Sequence, residues 1–274
     1  MFPGSKVRVD HTWAEAMDYM AAPVQAWGTG AMRSSHAKNR KDFHALPSFD
    51  AAREAMAKGW EEGRTRVDAA MVGAVAGVSQ HRIPAYRLDV AGSRPCVPVA
   101  VAGDPRCMFQ RRREVPVSRP VVELIVSMGA AWHVPPENLA RRGAAILAWV
   151  DALEASGWNT SITLVWYSVG DATRLLDYRV ALKPAGERFD LDRMSYGLVC
   201  PDMLRRTGFA VLEGCRDLVT MQHGYGSQRD LPKEEREGKV YFPPVLDGGP
   251  WATDESAVVN VRTAIMASRP EVLA

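Results

Sequence analysis

The chain has 274 residues, 47% of them hydrophobic and 24% charged, with 34 basic side chains against 32 acidic ones. That is ordinary globular composition, which excludes collagen-like, coiled-coil and wholly disordered classes, and a formal charge of +2 gives no global field to draw in a polyanion. At roughly 100–200 residues per domain the length fits one large domain or a small one beside a medium one, and either can bury a core without metal or disulfide staples.

Residues 1–47 mix Gly, Pro, Ser, His and Lys with isolated aromatics and read as a loosely ordered arm. No apolar h-region follows Met1, and no uncharged apolar run is long enough to span a bilayer, so the expectation is a cytoplasmic protein with no membrane contact. The next part, 48–117, reads as helical and irregular. Ser48 caps a helix carrying Phe49, Ala52, Met56 and Trp60 at helical spacing, and the helical pattern runs on through Glu61–Ala76 to Gly77. Tyr86–Val90 follows as a short strand, and then turn chemistry repeats around Gly92, Pro95, Pro98 and Gly103.

From 118 to 274 the character is α/β. Val121–Val126 is an apolar run of buried-strand type, Pro135 opens a helix that closes at Gly157, and Ser161–Tyr167 is a second apolar strand. A strand, a long helix and a strand form a crossover with parallel strands. Tyr178–Lys183 then reads as an antiparallel edge strand. Asp190 and Asp202 open short helices, Lys239–Phe242 is a late strand, and Thr253 caps a last helix with Val258, Val259, Val261, Ala264 and Ile265 toward the core. The expected fold is a three-layer α/β sheet with helices on both faces, preceded by the helical and irregular N-terminal part.

That element order, with Glu123–Gly129 ending the first strand and Leu246-Asp-Gly-Gly-Pro250 after a late one, resembles a von Willebrand factor A-like domain or, more broadly, a Rossmann-like sheet, over about residues 118–268. The resemblance implies a divalent-metal motif at the end of the first strand. Ser127-Met-Gly-Ala-Ala131 has no carboxylate and only Asp247 has a counterpart, so no metal is expected there. Gly59-Trp-Glu-Glu-Gly63, with Val90–Val97 and Gly103–Met108 downstream, resembles an uncharacterised family encoded largely by bacteriophages and mobile elements. That resemblance implies a viral setting, in the host cytoplasm or with a virion, and no established activity.

Several groups of residues are candidates for function. Ser127, Gly129, His133, His223 and Asp247 fall where open α/β sheets bind ligands, outside the carboxyl ends of strands; Ser127, either His and Asp247 also spell a hydrolytic trio, with no nucleophile elbow to support it. Arg111, Arg112 and Arg113, the pair Arg141 and Arg142, and the pair Arg205 and Arg206 are alternatives for phosphate contact, although paired arginines commonly lie on solvated faces. Trp60 with Gly59 and Gly63 reads as a packing element, since glycines beside a Trp let another backbone approach the ring. Cys96, Cys107, Cys200 and Cys215 lack zinc-knuckle spacing and a secretory context, so neither a metal nor a disulfide framework is expected, and no cofactor is indicated. The sequence points to an interaction or scaffold protein with a protein partner or a second copy of itself. Direct nucleic-acid binding and a hydrolase stand as the alternatives.

Overall fold

Thr12 and Glu15 fix the first turn of the structure: the Glu15 carboxylate accepts from Thr12 N at 2.7 Å while Thr12 Oγ1 accepts from Glu15 N at 3.2 Å, a reciprocal helix cap. It joins strand β1 (Ser5–Thr12) to helix α1 (Trp13–Ala21). The expected loose arm over 1–47 is therefore corrected for these residues. Val7, Val9 and His11 alternate with the more exposed Lys6, Arg8 and Asp10, the period of a strand with one packed face. In this computed structural model the described residues are 5–21, 43–74, 86–92, 94–111, 120–169, 174–214 and 227–273. They fall into two units, Met1–Ser79 with Val121–Ala274, and Gln80–Pro120.

In the first unit α2 (Phe49–Lys58) starts at Ser48, whose side chain accepts from Ala51 N. The sequence pattern carries one helix past Gly59, but the structure breaks it there and restarts as α3 (Glu61–Ala74). Gly59 has φ 93° and ψ 173°, a region that is essentially glycine-only. A Cβ at Gly59 would also lie 2.6 Å from Asp192 Cβ and 2.7 Å from Asp192 O.

The second unit holds β2 (Tyr86–Asp89), β3 (Arg94–Pro95), α4 (Val97–Val101) and β4 (Met108–Arg111). Its strands form a small antiparallel sheet in the order β2-β4-β3.

The chain then returns to the first unit with β5 (Val121–Ser127), α5 (Pro136–Ala155), β6 (Asn159–Val169) and β7 (Arg174–Lys183). Next come α6 (Leu191–Met194), two π-helical turns at Ser195–Val199 and Met203–Gly208, and α7 (Phe209–Gly214). The unit closes with β8 (Ser227–Gln228), α8 (Lys233–Arg236), β9 (Val240–Phe242), a 3-10 turn at Gly249–Trp251, α9 (Asp254–Ser268) and a last 3-10 turn at Pro270–Val272.

The main sheet runs β1-β7-β6-β5-β9, with β8 beside β6. β5 is parallel to both β6 and β9, as the crossover requires; β7 is antiparallel to β6, and β1 is parallel to β7. β7 is thus an inner strand and not the expected edge. The architecture is α/β. Val122, Leu124 and Val126 of β5, with Ile162, Leu164, Trp166, Leu176, Tyr178, Val180 and Leu182, build one face into a core shared with α1, α2, α3, α5 and α9. The other face is smaller: Ile125, Val165, Tyr167 and Leu175 close over Leu231. Among the described residues the long helices gather on the first face, and α8 belongs to the short segment on the second.

Backbone approach sets the helical layer. A Cβ at Gly143 would lie 1.9 Å from Leu198 O, so α5 lies directly on the first π-helical turn. Tyr196 and Thr207 join the two π-helical turns through their hydroxyls at 2.6 Å. In α9 the Thr253–Ser256 capping box holds the start and Ala257, Val261 and Ile265 face the core, whereas Val259, expected there, is exposed because it lies off their four-residue spacing.

Beyond Tyr167 the second face becomes ionic. Asp177 lies 2.9 Å from Lys6 and 2.7 Å from Arg179, and Glu235 of α8 pairs with both cations. Burial alone raises the Asp177 carboxyl, but hydrogen bonds from Arg179 and Lys6 outweigh it and hold the group below the usual carboxylate range. A depressed carboxyl stabilises the fold above its unfolded pKa and loses that contribution as pH falls through its folded value. The stability advantage of the wild type over Asp177→Asn is therefore expected to be level at neutral pH and to vanish on acidification below roughly pH 4, measured by urea unfolding at a series of pH values. An advantage that persisted at low pH would contradict this.

Gly59 and Gly186 both have positive φ, but nothing lies within 4 Å of a Cβ at Gly186. Gly186→Ala should cost about 1–2 kcal/mol of backbone strain. Gly59→Ala should add about 1–3 kcal/mol of overpacking against Asp192, and equal losses in chemical denaturation would refute the close approach.

Candidate functional site

The carboxyl ends of β5 and β9 form a rim. Past Ser127 the backbone keeps pairing: Met128 N donates to Val165 O at 2.8 Å, Val245 N to Gly129 O at 2.9 Å and Ala131 N to Val245 O at 2.9 Å, with Ala130 and Val245 in a parallel bridge. Two loops, 128–135 and 243–248, are thereby joined by main chain. The Gln228 side chain of β8 packs against Gly129, where a Cβ would lie 2.4 Å from its Oε1 and would make that side chain shift.

Under the rim is Arg142, from the first half of α5. Its guanidinium is buried and donates to Ser127 O at 2.9 Å, Phe242 O at 3.2 Å and Pro243 O at 3.0 Å, and it stacks over the Trp251 ring at 5.7 Å. Burial pulls its pKa down to about 10, so it remains a cation at neutral pH. Arg142 also lines a cavity of about 20 Å³ with Val126, Met128, Leu198, Cys200 and Leu204. Its Nε has no hydrogen-bond partner among the described residues, and a space of that size admits a single water molecule.

The neighbouring Arg141 acts at the surface, donating to Ala252 O at 2.8 Å and standing 3.5 Å from both Glu137 and Asp254. Asn138 donates to Gly248 O at 3.0 Å and fastens the second loop to the start of α5. Asp247 is exposed, and its carboxylate accepts from Gly249 N at 3.0 Å.

Arg205 and Arg206 are buried as well, which corrects the reading of these pairs as solvated faces. Arg205 donates to Phe43 O at 2.7 Å and Val134 O at 2.6 Å, and its guanidinium lies 4.1 Å from the Phe43 ring centre. Arg206 pairs with Asp202 at 2.9 Å, and Asp202 accepts from Ala45 N and Leu46 N at 2.7 Å each. Burial raises the Asp202 carboxyl despite these donors. The clamp holds the segment before α2 and, through Val134, the end of the first rim loop.

Of the sequence candidates, Ser127, Gly129, His133 and Asp247 belong to this rim. No hydrogen bond joins Ser127, His133 and Asp247 among the described residues: Ser127 is buried with its Oγ near Gly129 N at 3.4 Å, while His133 is exposed and meets the Trp132 ring edge-on. His223, Arg112 and Arg113 lie outside the described residues. Arg111 ends β4 of the second unit, its backbone opposite Tyr86. Among the described residues no group of three or more His, Cys, Asp or Glu could hold a metal ion, and no helix is long and apolar enough to cross a membrane. Trp60, Gly59 and Gly63 sit apart from the rim: the Ser195 hydroxyl accepts from Trp60 N at 3.1 Å and lies 2.9 Å from Trp60 O, and a Cβ at Gly63 would meet the Trp60 ring at 2.6 Å.

Two rim residues carry a signal that sequence reasoning passed over. Trp132 is 83% exposed and Leu246 60% exposed, one on each of the paired loops. The available sign was a large apolar residue in a Gly- and Pro-rich loop, off any strand or helix period.

Residues 10–266 match a family described as a domain of unknown function, DUF7192. The chain belongs to that family. The match runs from β1 into α9, so the DUF7192 domain takes in both units and the whole rim. No curated protein and no solved structure matches the chain.

The adjacent arginines of this DUF7192 chain give a sharp contrast. Arg142→Met leaves three carbonyls without their cation and is expected to cost at least about 3 kcal/mol, from unsatisfied acceptors at about 1–3 kcal/mol each. Arg141→Met, losing mostly exposed ion pairs, should cost under about 1 kcal/mol. Urea unfolding of both variants checks the order, and a larger loss for Arg141→Met would refute the clamp.

Proposed function

We propose that the chain is an interaction module, a scaffold component of a phage or mobile element, that docks a protein partner on the rim with Trp132 as its anchor. The observation that carries this is the exposure of Trp132 and Leu246 on loops locked together by main-chain bonds. Trp is enriched at interface hot spots, and an anchor on rigid backbone loses little conformational freedom on binding. Asp247 and His133 supply a polar border to the apolar pair.

The viral setting rests on the resemblance of the Gly59–Gly63 element and the segments after it. The likeness to a von Willebrand A-like sheet rests on the element order from β5 and on the Asp247-Gly-Gly turn, and in this reading the rim binds without a metal. Nucleic-acid binding is the weaker reading, because Arg141, Arg142, Arg205 and Arg206 are engaged with the protein's own backbone and carboxylates. A hydrolase is weaker still, since the Ser127, His133 and Asp247 side chains are not linked.

The test is capture from cells that encode the chain, comparing wild type with Trp132→Ala, Leu246→Ser and Val259→Ser, an exposed position on α9. The expected result is a protein partner recovered by wild type and Val259→Ser, and reduced at least about tenfold by Trp132→Ala, the loss of a single hot spot, with an unchanged melting temperature. Recovery that survives Trp132→Ala, or that disappears on nuclease treatment, would overturn the reading.

A further inference from the structure

Cys96 and Cys107 stand opposite each other in the small antiparallel sheet of the second unit. β3 pairs with β4 in a register that sets Arg94 against Phe109 and Pro95 against Met108. Both cysteines lie one residue beyond the paired strands, and a single bond extends the pairing to them: Cys96 N donates to Cys107 O at 2.6 Å. Directly opposed residues on antiparallel strands project to the same side, with Cα atoms about 5.5 Å apart when hydrogen-bonded. That separation falls within the range of about 4.4–6.8 Å that a disulfide bridges. Both thiols are unpaired and both residues are partly exposed, so a small oxidant reaches them.

A second observation concerns the unit that surrounds them. No described residue of Gln80–Pro120 is among the buried hydrophobic residues of the chain, α4 buries none of its residues, and Val97 and Val101 are 63% and 82% exposed. A unit of this size whose described residues bury no apolar side chain gains from a staple. Arg94 over the Phe109 ring at 5.2 Å is a weak one.

We propose that Cys96 and Cys107 form a reversible disulfide that closes α4 and the following turn into a covalent ring and supplies the small unit with the cross-link its burial does not provide. The oxidant is a low-molecular-weight disulfide of the glutathione class. One protein thiolate attacks it and forms a mixed disulfide, releasing one small thiol; the second protein thiolate attacks the protein sulfur of that mixed disulfide and releases the other. Two protein thiols are oxidised, one small disulfide is reduced to two thiols, and excess dithiol reverses the exchange. Cys200 is an internal control, since it is buried and burial pushes its thiol well above the ordinary value, away from the reactive thiolate.

The experiment uses the full chain in a Cys215→Ser background, equilibrated with glutathione and glutathione disulfide at graded ratios, then alkylated and mapped by mass spectrometry. The expected product has lost two hydrogens, carries no glutathione, links the Cys96 and Cys107 peptides, and is cleaved by protease between them at least about tenfold more slowly than the reduced form, as ring closure predicts. Cys107→Ser should instead accumulate a stable glutathione adduct on Cys96. Glutathione on both residues of one molecule, a disulfide between two chains, or thiols that stay reduced while Cys200 reacts would each overturn the proposal.

Discussion

A guanidinium buried beneath the ends of two parallel strands, with backbone carbonyls as its acceptors, is the constraint around which the main unit is arranged. Arg142 draws Ser127 O, Phe242 O and Pro243 O toward one point. The carbonyls at strand ends have no next residue in the ladder to bond, so they need a donor, and burial makes an unmet need costly. The cation needs partners for the same reason. Each side answers the other, and the agreement fixes where β5 and β9 stop relative to α5.

The rim follows from that. With both strand ends held, the loops beyond them are close enough to pair through Ala130 and Val245, and Arg205 holds the far end of the first loop through Val134 O. The helical layer below depends on similar close fits. Gly143 lets α5 rest on the carbonyl of Leu198, and Gly59 lets the turn between α2 and α3 rest on Asp192. π-helical turns recur at functional sites in other proteins; here the Asp202 and Arg206 pair and the Tyr196–Thr207 hydrogen bond show them serving as a rigid floor.

The β5-α5-β6 crossover was legible because its two apolar runs and its long helix state their own periods. β1 is not legible in the same way: its alternation is short and mixed with charge, and what makes it a strand is β7, far along the chain. A sequence gives charge and not depth, so the burial of Arg142, Arg205 and Arg206 has no sign in it. The helix break at Gly59 needed the position of Asp192 to be understood, and the opposition of Cys96 and Cys107 needed a strand register that no spacing rule contains. At the rim, the position of Ser127, Gly129, His133 and Asp247 outside strand ends was readable, whereas the exposure of Trp132 and Leu246 depends on where two loops meet.

The pairing of β1 with β7 also orders events in time. His11 and Tyr178 are hydrogen-bonded across 167 positions of chain. During synthesis β1 leaves the ribosome well before β7, the strand it pairs with, and contacts at such separation form late. The interval leaves β1 as an unpaired segment beside a growing chain, when strand edges are most prone to pair wrongly. Its exposed Lys6, Arg8 and Asp10 then have a use before the sheet exists. Charge on an open edge opposes pairing with another strand in finished proteins, and the same repulsion acts on a strand that waits.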